Sequence, residues 1–316
     1  MARRAALMST LAALAALALG ACGVGAGESE REGATLTITR DLGARLLLRR
    51  EATEVPGGET VMRFLQRNAD VKTGYGGRFV DAIESLRSGR ARGEQRDWFY
   101  YVNGIEASEG AADRDLAGGD RVWWDYRDWS AAMRVPAVVG SFPEPFLSGA
   151  EGKRYPVRID CAPGADGQCG DVAEALDRVG VDASIAGLGT PVGDELLRVL
   201  VGRWDEVRDD NAAGQIEEGP RESGVFARVH RGDDGFQIDV LDRRGRVVET
   251  LGPGSGIVAA TRFEEQQPTW AVSGTDDAGL ARAVRLLTAS ALRNRFAVAA
   301  DGSGPRRLPA PEEGSG

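Results

Sequence analysis

The segment Trp98–Gly104, WFYYVNG, is the feature that most restricts how this chain can fold. Aromatic and β-branched residues favour strands, and Asn103-Gly104 is the strongest short signal for a β-hairpin. Alternate side chains of a strand point to opposite faces, so Trp98 and Tyr100 share one face and Phe99 lies on the other. One face must be core. Aromatic residues on the second face would form an exposed apolar patch, which usually marks a binding site.

The flanking sequence predicts a small domain rich in β-structure over residues 34–133. Alternating residues from Thr35 to Arg50 indicate a hairpin. Thr60 can cap a short helix that ends near Ala69. Gly118-Gly119-Asp120 introduces a further strand over Arg121–Tyr126. The predicted order is strands, one helix, and more strands.

Three blocks of this region, Tyr75–Val80, Trp98–Gly104 and Gly119–Tyr126, together resemble the transcobalamin-like C-terminal (DUF4430-type) domain, a small β-grasp-like module. In eukaryotic vitamin B12 carriers this module covers the bound corrinoid from one side, and bacterial lipoproteins with the module resemble ligand-capture proteins. The resemblance therefore implies a corrinoid (cobalamin) or another planar small molecule as ligand. The helical barrel of those carriers, with its cobalt-coordinating histidine, has no counterpart here, so no metal ligand is implied.

The aromatic strands and their turns supply the predicted ligand-binding residues. Flat rings with polar tips suit a planar ligand, a sugar or a peptide. Core packing is the alternative for each aromatic residue taken singly. The predicted set is Tyr75, Trp98, Tyr100, Asn103, Trp123, Trp124 and Tyr126.

The first 22 residues have the layout of a secretory signal. Two arginines precede an apolar run from Ala5 to Leu19, which is shorter than the roughly 20 residues that a membrane-spanning helix needs. Leu19-Gly20-Ala21-Cys22 resembles the bacterial lipobox, which predicts lipidation of Cys22 after cleavage. The alternative is an ordinary signal peptide with a chance cysteine. Residues 23–33 are small and charged and predict a flexible tether. The expected location is the extracytoplasmic face of the cell membrane, through a lipid anchor.

The net charge restricts the kinds of binding partner, and the cysteine content bears on the choice between a disulfide and a metal site. The formal net charge is −9, and loss of residues 1–22 would remove two arginines and no acid, giving −11. Nucleic acid is therefore not an expected partner, because its binding needs clustered basic patches. Cys161 and Cys169 are close in sequence and would face an oxidising compartment, which favours a disulfide. A zinc site is the rival interpretation, but two cysteines without a nearby histidine supply too few ligands.

Residues 134–300 read as a second, α/β-type domain, so the predicted class is α+β. Strands are expected at Ala137–Phe142 and Thr269–Thr275, and a helix is expected after Pro191 over Leu196–Val201. The turn Ser273–Asp276 is either a ligand site or a plain helix cap. Residues 301–316 have little apolar content and predict a disordered tail.

No catalytic motif is present, and His230 is the only histidine, which removes most acid–base mechanisms. The sequence thus predicts a non-enzymatic, membrane-anchored ligand-binding lipoprotein that works with a membrane transporter and carries no cofactor other than a bound corrinoid. The alternative is a cell-envelope protein that binds polysaccharide or a membrane protein.

Overall fold

The computed structural model describes residues 33–91, 93–150 and 152–311. The predicted signal peptide, the lipidation site Cys22, and the tether up to residue 32 lie outside the described residues. The described residues belong to one compact unit. Within the described ranges, no helix is long and apolar enough to cross a membrane.

The first part of the chain contains nine strands and one α-helix among the described residues. In chain order these are β1 Ala34–Arg40, β2 Arg45–Ala52, α1 Val61–Asn68, β3 Val71–Gly74, β4 Phe79–Ile83, β5 Leu86–Arg87, β6 Gly89–Ala91, β7 Glu94–Val102, β8 Ile105–Glu106 and β9 Arg121–Asp128.

A six-stranded sheet organises this part, in the order β2-β1-β9-β7-β6, with β8 paired to β7. The pair β1·β9 is parallel, and the pairs β1·β2 and β7·β9 are antiparallel. A second sheet, β3-β4-β5, lies outside this path. Helix α1 begins as predicted, because the Thr60 side chain accepts a hydrogen bond from the Arg63 N–H at 3.3 Å. Its buried face, which includes Phe64 and Leu65, joins one core with Ile38 and Trp124.

The second part contains ten strands and six α-helices among the described residues. They are β10 Val157–Cys161, α2 Asp166–Asp177, β11 Ala183–Gly187, β12 Leu197–Arg203, α3 Trp204–Val207, α4 Asn211–Glu218, α5 Pro220–Ser223, β13 Ala227–Gly232, β14 Gly235–Leu241, β15 Val247–Leu251, β16 Gly256–Thr261, β17 Thr269–Gly274, α6 Asp277–Arg285, α7 Ala289–Leu292, β18 Ala297–Asp301 and β19 Gly304–Leu308.

A seven-stranded mixed sheet runs through this part in the order β11-β10-β12-β17-β16-β18-β19. Its first four strands are parallel, and the remainder are antiparallel. Trp270 and Val272 face a core that also holds α2 and α6. Leu200 and Ala271 belong to the other core. A three-stranded sheet, β13-β14-β15, packs into that second core through residues such as Val229 and Ile238.

The two large sheets share this second core. Tyr101 and Trp123 of the first sheet belong to it, and both contact Phe296, with ring centroids 5.7 Å and 5.2 Å apart. The face of β7 and β9 that carries Tyr101 and Trp123 is therefore core. The predicted domain boundary near residue 133 stays a prediction.

The predicted α+β class is wrong. Strands make up 40% of the described residues and helices 20%, in four sheets, so this part of the chain is mostly β. Several of its helices are single turns of four residues, including α3, α5 and α7. The prediction of a β-grasp-like domain followed by an α/β-type domain therefore overstated the helical share of both halves.

Particular elements explain the error. The helix predicted over Leu196–Val201 is strand β12, in which Leu197–Gly202 is buried throughout. An unbroken apolar run fits a strand buried on both faces as well as a buried helix, so periodicity alone does not separate them. The strand predicted over Ala137–Phe142 contains a 3-10 helix at Val139–Ser141. The segment predicted to be disordered from Asp301 includes β19, which pairs with β18.

Candidate ligand-binding groove

A groove of about 510 Å³ opens along the edge of β7. Strand β7 pairs with β6 at Glu94–Arg96 and with β8 at Tyr101–Val102. Between these two pairings no strand among the described residues covers Trp98 and Phe99 on that side. The groove lies at this gap and is lined by Met62, Arg78, Phe79, Val80, Asp97, Trp98, Phe99, Tyr100, Glu106, Ala107, Ser108, Glu109, Gly110, Ala111, Trp124, Trp129, Met133 and Arg134.

Cross-strand aromatic pairs form the inner wall of the groove. Tyr100 is opposite Trp124, with rings stacked at a centroid distance of 4.8 Å and an interplanar angle of 23°. Trp98 packs on Tyr126 at 5.0 Å. Such pairs stabilise a sheet and hold the rings in fixed orientations. The wall is therefore built before any ligand arrives.

Hydrogen bonds hold two of these rings in place. Trp98 Nε1 donates to the Leu86 carbonyl at 3.1 Å, and the Tyr100 hydroxyl donates to the Glu109 carbonyl at 2.7 Å. Trp124 Nε1 is buried and has no hydrogen-bond partner in the part of the chain that the structure describes. A buried donor without a partner is costly, and this one belongs to a ring that lines the groove.

The hydroxyl of Tyr100 stays neutral at physiological pH. Burial raises its pKa well above the usual value, and the nearby charge of Glu109 adds to the effect. Burial also raises the pKa of Tyr126. The aromatic wall thus carries no phenolate charge and offers an apolar surface with neutral polar tips.

Arg127 is a buried cation that supports β7 on the face that carries Phe99 and Tyr101. Arg127 is fully buried, and its guanidinium lies 3.8 Å from the ring centroid of Phe99. It donates to the Tyr101 hydroxyl at 2.6 Å and pairs with Glu106 at 3.2 Å. Burial lowers the pKa of Arg127, but its hydrogen bond to Tyr101 and the carboxylate charges of Glu106 and Asp125 outweigh burial and raise that pKa. Arg127 therefore remains charged and holds Phe99 and Glu106, both of which line the groove.

The outer rim combines polar and exposed apolar groups. Arg134 is 67% exposed and pairs with Glu106 at 3.2 Å. Trp129 Nε1 donates to the Asp97 carboxylate at 2.7 Å. Met133 and Phe79 are exposed large apolar side chains, at 67% and 47%. A mostly apolar concavity with a few placed polar groups is the usual form of a small-ligand site.

Three of the seven predicted ligand-binding residues, Trp98, Tyr100 and Trp124, line the groove. Tyr126 does not line the groove but packs beside Trp98 on the neighbouring strand, and its hydroxyl donates to the Arg87 carbonyl at 2.7 Å. Tyr75 is 89% exposed and makes an edge contact with Phe79 at 6.4 Å, beside the groove.

The other two predicted residues lie elsewhere. Trp123 is on the opposite face, where its Nε1 donates to the Thr39 hydroxyl at 2.7 Å. Asn103 occupies the hairpin turn at a φ of 55°. Its side-chain amide donates to Asp120 and to the Gly149 carbonyl, and its oxygen accepts from the Arg121 N–H. The polar atoms of Asn103 are thus engaged in holding the turn.

Sequence reasoning missed several groove residues, notably Met62, Phe79, Trp129 and Met133. Met62 comes from α1 and Phe79 from β4, so only the tertiary fold brings them to β7. A weak signal existed for Trp129, because a large aromatic residue directly follows the predicted strand of β9. Met133 had none, since it is an isolated apolar residue at the predicted boundary.

The remaining sequence candidates have structural partners. Cys161 and Cys169 form the predicted disulfide, with Cα atoms 6.1 Å apart. Asp276 caps α6 by accepting from the Gly279 N–H at 2.8 Å, and His230 pairs with Asp239 at 3.2 Å. Among the described residues, no group of three or more His, Cys, Asp or Glu is placed to hold a metal ion.

The fold and the groove define a mostly β protein with an aromatic-lined binding groove at a gap in the edge of its first sheet. Residues 58–128 match a family model, Domain of unknown function (DUF4430). The predicted DUF4430-type domain is thereby confirmed. The matching segment runs from α1 to the end of β9 and contains every groove residue except Trp129, Met133 and Arg134. No curated protein sequence matches this chain.

Proposed function

We propose that this protein is a non-catalytic, lipid-anchored, extracytoplasmic ligand-binding protein, and that the groove along β7 captures a planar small molecule, with a corrinoid as first candidate. The observation that carries the proposal is the stacked pair Tyr100–Trp124 within an apolar groove of about 510 Å³. Ligand pockets commonly measure about 300–1,000 Å³ and are mostly apolar.

The open side of the groove favours a ligand that is covered on one face. A planar ring can lie against the aromatic wall, with its opposite face left for solvent or for a membrane transporter that receives it. The resemblance to the transcobalamin-like module implies this one-sided contact for a corrinoid. Arg78, Arg134 and Glu109 at the rim can hydrogen-bond to polar substituents around such a ring.

Direct titration tests the proposal. The chain from Gly23 to Gly316 is titrated with cyanocobalamin and with cobinamide, and binding is followed by visible absorbance and by calorimetry. We expect saturable binding at micromolar affinity or tighter. The double variant Phe79→Ser and Met133→Ser removes two exposed groove residues without opening the core, and loss of these contacts is expected to weaken binding about ten-fold or more.

The matched control is the double variant Val247→Ser and Val248→Ser on β15. These residues are 48% and 46% exposed and do not line the groove. The control should bind like the unmodified chain. Absence of heat and of any spectral change with both corrinoids would overturn the corrinoid assignment. Equal weakening in both double variants would overturn the assignment of the site to the groove.

A further inference from the structure

The edge strand β2 is exposed along almost its whole length. Leu46 and Leu47 are 49% and 36% exposed. Ile38 pairs with Leu48 and Thr39 with Leu46, so a bulge leaves Leu47 without a cross-strand partner. Two adjacent leucines on a free sheet edge are unusual, because natural edge strands are normally kept polar to avoid aggregation.

Positive charge surrounds these leucines. Arg45, Arg49 and Arg50 lie on the same strand, against one acid, Glu51, which is 3.0 Å from Arg49. Arg293 is exposed and lines a depression together with Arg49. The chain as a whole has a net charge of −9, so this surface is a local reversal of the overall charge.

Arg45 and Arg50 lie on one face of the sheet, and Leu46, Arg49 and Arg293 lie on the other, so they meet at the exposed edge of β2, with Leu47 at the bulge. We propose that this edge, here called the β2 surface, docks edge-on on a membrane that contains anionic lipids. Arginine side chains near anionic headgroups add attraction. Apolar side chains beside them can enter the boundary between headgroups and acyl chains. The β2 surface has both components, and its charge is complementary to such a membrane.

The position of the β2 surface in the chain agrees with this partner. Strand β1 begins at Ala34 and forms a hairpin with β2. The eleven residues 23–33 span at most about 40 Å when extended, and β2 is about 26 Å long. An anchor at Cys22 would keep the hairpin within reach of the bilayer. This geometric step rests on the proposed lipid anchor, whereas the affinity of the β2 surface for lipid does not.

Docking here would also orient the groove. The β2 strand is one edge of the six-stranded sheet, and the gap in β7 lies towards the other edge, past β1 and β9. A membrane contact at β2 therefore leaves the groove uncovered, with its opening accessible to a ligand in the surrounding medium.

The test uses the chain from Gly23 to Gly316, which lacks the lipidated cysteine, with sedimented vesicles of pure phosphatidylcholine and of phosphatidylcholine mixed with phosphatidylglycerol. We expect binding to the mixed vesicles only, and weaker binding at high salt. Each of the substitutions Arg45→Gln and Arg50→Gln should lower the partition coefficient about five-fold. The double variant Leu46→Ser and Leu47→Ser should lower it further.

Matched controls are Arg221→Gln and Arg285→Gln, two exposed arginines of the second part of the chain, and the double variant Val247→Ser and Val248→Ser. These should bind vesicles like the unmodified chain. No binding to either vesicle type, or equal loss in test and control variants, would overturn the proposal. Corrinoid titration of the β2 variants reports on the groove separately, so failure of one proposal is distinguishable from failure of the other.

Discussion

Replacing Arg127 by methionine should destabilise the protein more than any change at the rim of the groove. The Arg127 side chain is fully buried, donates to the Tyr101 hydroxyl at 2.6 Å, and pairs with Glu106 at 3.2 Å. Methionine keeps much of the volume and removes the charge. Glu106, which is 8% exposed, would then retain its exposed partner Arg134 and a hydrogen bond from the Val135 N–H at 3.3 Å, but no buried cation.

The expected size of the effect follows from this geometry. At 3.2 Å and an effective dielectric constant near 20, the Coulomb attraction between Arg127 and Glu106 is about 5 kcal/mol before desolvation is counted. Removal of one partner of a buried pair typically costs about 3–5 kcal/mol, because the remaining charge is left uncompensated. The lost hydrogen bond to Tyr101 acts in the same direction. We therefore expect the free energy of unfolding to fall by about 4 kcal/mol.

Urea denaturation followed by tryptophan fluorescence measures this change, and Arg134→Gln is the matched control. Arg134 contacts the same carboxylate at the same 3.2 Å but is 67% exposed, so its loss should cost less than about 1 kcal/mol. The double variant Arg127→Met and Glu106→Gln should recover part of the loss, because it removes the uncompensated charge at Glu106. Similar losses for Arg127→Met and Arg134→Gln would refute the reasoning that burial makes the difference.

Two further predictions concern the disulfide and a buried carboxylate. Replacing both Cys161 and Cys169, eight residues apart, by serine should lower the free energy of unfolding by about 2.5 kcal/mol, because the loop-closure entropy is lost. Reductant should then have no effect on denaturation of the variant. A denaturation midpoint equal to that of the unmodified chain would contradict the prediction. Burial raises the pKa of Asp125 above its ordinary value of 3.8, so its stabilising contribution is complete below that value and is lost as the pH rises through the higher folded pKa. In Asp125→Asn, unfolding measured from about pH 3 to about pH 8 should lack this loss, and an unchanged pH profile would count against it.

Local signals explain what the sequence predicted correctly. The aromatic strand ending at Val102, the Thr60 cap and the Cys161–Cys169 disulfide all depend on residues close together in the chain. Their physical causes, namely strand propensity, a side-chain acceptor at a helix start, and two nearby thiols, are readable without the fold. The strands β7 and β9 were accordingly predicted, and so were the four aromatic residues of the inner wall of the groove.

Non-local packing accounts for the rest. Strand β12 is buried on both faces, so its apolar run carries no period that separates it from a helix. That both faces of β7 are core was not readable from the sequence either. Trp98 and Tyr100 belong to the core that includes α1, and Phe296 covers Tyr101 on the other face from almost 200 residues further along the chain. The groove lies at the edge of β7, in the gap between its pairings with β6 and β8.

The contact of Phe296 with Tyr101 and Trp123 also limits how the DUF4430 segment can be used as a part. In many proteins a family segment of this kind can be cut out and joined to another chain. Here one side of its central sheet is covered by residues that the segment does not contain, including Leu200 and Phe226 of the second core. Transplanted alone, it would carry an uncovered aromatic surface, and Arg127 and Tyr101, which support the groove, would lose the cover that buries them. The unit that can be moved between proteins is therefore the sheet together with its C-terminal cover.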